Sequence, residues 1–205
     1  MIATTAKPFT LGVDTVQKLG SKECEAIKAA GFRFVVRYLG SVSVLELAAI
    51  LAAGLAFMPV TYAKNYNGGS AVHDLRALSI PAGATVWLDL EGETSAPADL
   101  IAKINAWASQ IEGAGYEPGL YVGAGCVLTS EELFALRVKR YWNSCSREVD
   151  RNGKVANPAC DYCMDQLRPY NCGRDGVPYA VPGVVVDVDV IQQDNKGRLP
   201  SWVVA

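Results

Sequence analysis

A chain of 205 residues, half of them hydrophobic and a fifth charged, is long enough for a substantial core and too apolar to stay disordered. Its formal net charge of -2 comes without any run of lysine and arginine, so the electrostatic footprint of a nucleic-acid partner is excluded. The most apolar stretch, residues 45–60, contains Glu46, Gly54 and Pro59 and is too short and too interrupted to cross a bilayer, so no membrane partner is expected.

Along the chain, apolar runs alternate with helical patterns. The opening MIATTAKPFTLGVD lacks a cationic head followed by a sustained apolar block, so no signal peptide is expected. Residues 9–14 (FTLGVD) are the first predicted strand, and residues 22–30 follow with helical spacing until Gly31 stops them in a C-cap position. Residues 32–39 (FRFVVRYL) are rich in β-branched and aromatic side chains and predict the second strand. A helix over residues 43–53 takes Ser43 as N-cap with Glu46 three residues later, a capping box, and ends at Gly54. Residues 55–62 predict the third strand, a polar loop follows, and residues 71–78 predict a helix. Residues 85–91 (TVWLDLE) predict the fourth strand. Residues 97–113 form the longest helical pattern, with Leu100, Ile101, Ile104, Trp107 and Ile111 on one stripe that should face a sheet. The remaining predicted strands are residues 117–123, 139–143, 161–167 and 184–191, with one short helix over residues 130–136.

Eight strands in this rhythm predict one domain over residues 1–205, an α/β fold closed as a (β/α)8 barrel of TIM type. The Asn, Gly, Asp and Pro content of residues 145–182 predicts loops in place of helices between strands six and eight.

In such a barrel, catalytic side chains come from strand ends and the loops after them. Acids stand at those places: Asp14 closes the first strand, Asp89 and Glu91 close the fourth, and Asp187 with Asp189 lies in the last. Alternation puts Asp89 and Glu91 on one face, with Cα atoms about 7 Å apart. Repulsion between such neighbours should raise one pKa and leave a protonated acid beside an ionised partner, the division of labour that glycosidic cleavage uses. Each acid alone reads equally well as a helix cap or a solvated loop residue; the joint pattern favours a site.

At these residues the sequence resembles the glycoside hydrolase family 25 lysozymes, and more closely a bacterial and phage group of glycoside-hydrolase-like domains in that clan. The resemblance rests on Gly12-Val13-Asp14, on Asp89-Leu90-Glu91 and on the terminal strand from Val186 to Ile191 (VDVDVI). A tyrosine strand (LYVG, to Gly123), the Tyr141-Trp142 strand and the Asp165-Gln166-Leu167 strand fall in the same order. The resemblance implies a peptidoglycan polysaccharide as substrate and cleavage of its β-1,4-linked N-acetylated glycan. It implies Glu91 as general acid, Asp89 as the group that positions or polarises the N-acetyl of the substrate, and Asp14 and Asp187 as acids that tune them. Tyr62, Tyr121, Trp142, Gln166 and Asp189 are the expected substrate-binding residues, although core packing explains the aromatic ones equally well. Departures from the pattern are the GVDT opening and YWNS in the sixth strand.

The single histidine, His73, lies in a predicted surface helix, which argues against a serine or cysteine triad. No glycine cluster has the lysine and spacing of a phosphate loop. Cys145, Cys160, Cys163 and Cys172 crowd the loop-rich region; one or two disulfides are favoured over a zinc site or free thiols, which would suit an extracytoplasmic or phage-delivered protein. Cys24 and Cys126 read as buried apolar residues. No metal and no cofactor are expected, and the chain is expected to be a monomer. Two rival readings remain: a catalytically silent module that binds a glycan or a protein, and an amidase or esterase on the same scaffold.

Overall fold

The chain opens with a short strand, β1 (Ile2–Thr5), and then strand and helix alternate five times. β2 (Leu11–Asp14) leads to α1 (Ser21–Ala29), β3 (Phe34–Tyr38) to α2 (Val44–Ala52), and β4 (Ala56–Tyr62) to α3 (Gly68–Ala77). β5 (Thr85–Asp89) leads to α4 (Pro97–Gly113) and β6 (Glu117–Val122) to α5 (Ser130–Ala135). Four strands follow, β7 (Arg140–Asn143), β8 (Met164–Leu167), β9 (Asp187–Ile191) and β10 (Ser201–Val204), with no helix among the described residues between them. The computed structural model describes residues 1–63, 67–123, 125–144, 150–167 and 181–205.

β2 to β8 pair in parallel, each with its successor, and β9 lies between β8 and β2, so the eight strands close a TIM-type α/β barrel. β9 runs antiparallel to both neighbours, whereas the sequence suggests a parallel last strand. Period-two alternation such as that of VVVDVDVI fits a strand running in either direction, so the pattern that predicts the strand does not fix its sense. The reversal has a direct effect on the site: the first residue of β9, not its last, reaches the rim where the parallel strands end.

Helix starts follow local chemistry. The Ser43 side chain accepts from the Glu46 N–H at 3.2 Å, as the sequence suggests. The expected return bond from the Glu46 side chain is replaced by a buried ion pair with Arg37 Nε at 2.8 Å, and Glu46 also accepts from the Leu19 N–H at 3.1 Å. A guanidinium buried on β3 outbids an exposed cap, because an unpaired buried charge is far more costly than an unmade backbone bond. At α5 a complete capping box forms between Thr129 and Glu132. In α4, Leu100, Ile104, Trp107 and Ile111 are buried as the stripe requires, and Ile101 packs at its margin.

Alternation along the strands divides two apolar cores. One lies between barrel and helices. The other fills the barrel with Phe34, Val36, Met58, Trp87, Met164, Ile191 and neighbours. Gly12 and Gly119 make room inside: a Cβ at either would sit 2.4 Å from the ring of Phe34 or Trp87 respectively. The end opposite the acid rim is closed by β1 and β10, an antiparallel pair absent from the sequence reading. Trp202 of β10 enters the interior, 5.9 Å from the Phe34 ring, and its Nε1 donates to Thr4 Oγ1 at 3.0 Å.

Candidate active site

The parallel strands all end at one rim, and residues two apart on a strand share a face. Asp14 ends β2, Tyr62 ends β4, and Tyr121, Trp142 and Gln166 lie near the ends of β6, β7 and β8. Asp187 opens the reversed β9 directly opposite Asp14, a register that puts their Cβ atoms about 5 Å apart. These six residues and Glu91 line one cavity of about 320 Å³. Val16, Tyr38 and Ser144 complete the described lining, which contains no lysine, arginine or histidine.

Two of the acids expected at the mouth lie beneath it. Asp89 is only 2% exposed, and both of its oxygens are engaged: Oδ1 accepts from the Glu91 N–H at 2.8 Å and Oδ2 from the Tyr38 hydroxyl at 2.7 Å. β5 ends at Asp89 and the chain turns at Glu91, so Glu91 alone reaches the open lip. Asp189, expected to touch substrate, is fully buried and does not line the cavity. It pairs with Gly12, two residues deeper than Asp187, or about 7 Å further into the barrel. Trp142 Nε1 donates to its Oδ1 at 3.0 Å, Oδ2 is buried without a donor, and the carboxyl as a whole interacts with that of Asp14.

A chain of hydrogen bonds crosses the floor. The Tyr121 hydroxyl donates to Gln166 Oε1 at 3.0 Å, and Gln166 Nε2 donates to Asp14 Oδ2 at 2.8 Å. Aromatic faces stand on both sides. Tyr38 and Tyr62 stack with ring centroids 4.1 Å apart, and Tyr121 tilts against Trp142 at 4.4 Å.

Burial dominates the electrostatics. It pushes the Asp14 carboxyl up to about 6; the Gln166 bond opposes the rise and Asp187 adds to it. Desolvation also raises Asp187 and Asp89, the latter against its two donors. The repulsion expected between Asp89 and Glu91 is not what raises Asp89: the Glu91 N–H bound to it acts in the opposite sense. Tyr38 and Tyr121 are held neutral by burial and surrounding negative charge, so both act as hydrogen-bond donors. A pocket with stacked aromatic faces, neutral hydroxyls and several carboxyls is suited to a polar, uncharged ring such as a sugar.

Tyr38 is the one built-in site residue that parity along FRFVVRYL could have revealed, since it shares a face with Phe34 and Val36 at the rim end of its strand. Val16 and Ser144 carry no such signal. His73 is exposed on α3 and does not line the cavity. Cys24 and Cys126 are buried, as their surroundings in the sequence suggest. Cys160 and Cys163 are buried free thiols, which removes the disulfide expected of them, while Cys145 and Cys172 lie outside the described residues.

Solved structures share this fold. One is an uncharacterized B. stearothermophilus protein, 20% identical with a TM-score of 0.64, covering 90% of this chain and 96% of that one. A bacterial lysozyme from Streptomyces coelicolor is 14% identical with a TM-score of 0.58, covering 93% of this chain and 95% of its own. A glycosyl hydrolase 25 of Streptococcus pneumoniae, GHIP, is 12% identical with a TM-score of 0.58, covering 89% and 87%. No curated protein sequence matches the chain. Residues 25–159 match the Rv2525c-like, glycoside hydrolase-like domain, and the chain belongs to that family.

Proposed function

We propose that the cavity binds a polysaccharide and hydrolyses its glycosidic bond, and that the polysaccharide is the β-1,4-linked N-acetylated glycan of bacterial peptidoglycan. The observation that carries this reading is the convergence of Glu91, Asp14 and Asp187, far apart in the chain, on one aromatic-walled cavity. The shared fold of a bacterial lysozyme and a glycosyl hydrolase 25 supports the choice of polymer.

In this mechanism Glu91, at the lip, protonates the leaving oxygen. Asp14 and Asp187 face the positive charge that develops at the anomeric carbon as its bond to that oxygen breaks; water then bonds to the carbon and gives its proton to the Glu91 carboxylate, which restores the acid. Asp89 acts from below: by holding the Tyr38 hydroxyl and the Glu91 backbone it fixes one aromatic wall and the base of the acid. Gln166 and Tyr121 fix Asp14, and the exposed Tyr62, backed by Tyr38, offers a face for a sugar ring.

The test is mass spectrometry of products from purified sacculi. New reducing ends are expected with the unmodified chain, and Glu91→Gln should reduce their release by about 10²–10⁴-fold while leaving thermal unfolding unchanged. Full release by Glu91→Gln removes the mechanism. A second reading, a barrel that grips glycan without cutting it, is favoured by the withdrawal of Asp89 from the cavity. Sedimentation with sacculi and no product over long incubation would establish it; a new amine in place of a reducing sugar would point to an amidase.

A further inference from the structure

Asp189 has no part in the hydrolytic scheme, yet it is the most deeply enclosed acid at the site. Its Oδ1 has one donor, Trp142 Nε1. Its Oδ2 is buried and receives no N–H or O–H, and the register of β2 and β9 sets the Asp189 carboxyl diagonally beneath Asp14, with which it interacts. Two ionised carboxylates cannot share that space: a buried charge without donors is far more costly than the neutral acid, and its neighbour would repel it. A proton on this carboxyl removes both problems, because it cancels the second charge and supplies a donor to Asp14.

The groups facing the pair point the same way. Asp187 on β9 and Asp89 at the end of β5 add only negative charge. Gln166 on β8 donates to Asp14, Trp142 on β7 donates to Asp189, and Tyr38 on β3 and Tyr121 on β6 present neutral hydroxyls. The described cavity lining supplies no cation to support a second charge.

We propose that Asp189 is a positioning residue kept as the neutral acid, whose O–H donates to Asp14 and fixes that carboxyl toward the cavity with one negative charge between the two. Asp14 then has two donors, Gln166 and Asp189, which stand opposite each other on the paired strands β8 and β9. Their support is consistent with Asp14 rising only to about 6 despite its burial.

Substrate is unnecessary for the test, so its outcome is independent of whether the cavity cleaves sugar. Infrared difference spectra and carbon NMR of labelled aspartate carboxyls on the full chain should show a protonated, water-shielded aspartic acid at neutral pH. That signal should be absent in Asp189→Asn. Asparagine can accept from Trp142 and donate to Asp14, so the Asp14 midpoint should stay near its original value in that variant. Asp189→Leu removes the donor, and the Asp14 midpoint should rise by about one to two pH units. If the leucine variant does not fold, the unmodified and asparagine spectra decide the matter. A spectrum with every aspartate ionised at neutral pH overturns the proposal, as does an Asp14 midpoint displaced in Asp189→Asn as far as leucine should displace it.

Discussion

The carboxyl of Asp14 titrates near 6 because burial opposes its charge more strongly than Gln166 supports it. Between its ordinary value of 3.8 and 6 the folded chain holds a proton that the unfolded chain has released. Stability therefore falls as pH rises through that window and levels off above it. The shift corresponds to about 3 kcal/mol at most, less for the partial exposure of the side chain. Asp14→Asn is expected to melt higher than the unmodified chain at neutral pH, by about 2–4 °C for each kcal/mol recovered, with the gap closing near about pH 4. Calorimetry across that range checks it, and equal midpoints throughout would refute the burial account. Tyr38→Phe tests the neighbouring acid: it takes one of two donors from buried Asp89 and should cost about 1–3 kcal/mol in urea unfolding. Much at this scale was legible. The acids and aromatics at strand ends could be read from spacing, but depth could not: parity places Asp187 and Asp189 on one face without saying that one lines the cavity and the other lies below it.

Among the elements, α2 shows where local rules yield to tertiary ones. Ser43 caps it as spacing suggests, yet Glu46 turns away to Arg37, a partner nine residues back that no capping rule foresees. Arg37 also donates to the Thr15 carbonyl, so one guanidinium ties β3, α2 and the loop after β2. Arg37→Met should destabilise the chain by about 3–5 kcal/mol, since it strands a buried carboxylate. Glu46 Oε2 already lacks a partner, so the pair is imperfect. Replacing both, Arg37→Met with Glu46→Leu, is expected to recover most of that loss in chemical unfolding; a double variant no more stable than Arg37→Met alone would mean the pair is worth more than its desolvation. The helix from Pro97 to Gly113 was fully legible because a proline start and an apolar stripe coincide. The direction of β9 was not, because VVVDVDVI reads the same way up or down.

At the scale of the whole molecule, the barrel has a working end and a sealed end. Trp202 belongs to the sealed one, packed on Phe34 and bonded to Thr4. Trp202→Ala should cost about 3–5 kcal/mol of stability while leaving glycan binding at the far end unchanged; thermal unfolding and sacculus sedimentation read the two separately. β1 and β10 escaped the sequence reading because each is four residues long and finds its partner across nearly the full length of the chain. The strand-helix rhythm of the barrel itself was legible, since each strand is a compact apolar run bounded by a polar or glycine stop. The working end, with carboxyls and no described cation around it, also selects what can approach. To the described carboxyls a neutral sugar polymer is indifferent at long range, whereas a strand bearing many phosphates or uronates is repelled by them, less so as salt shortens the reach of their field.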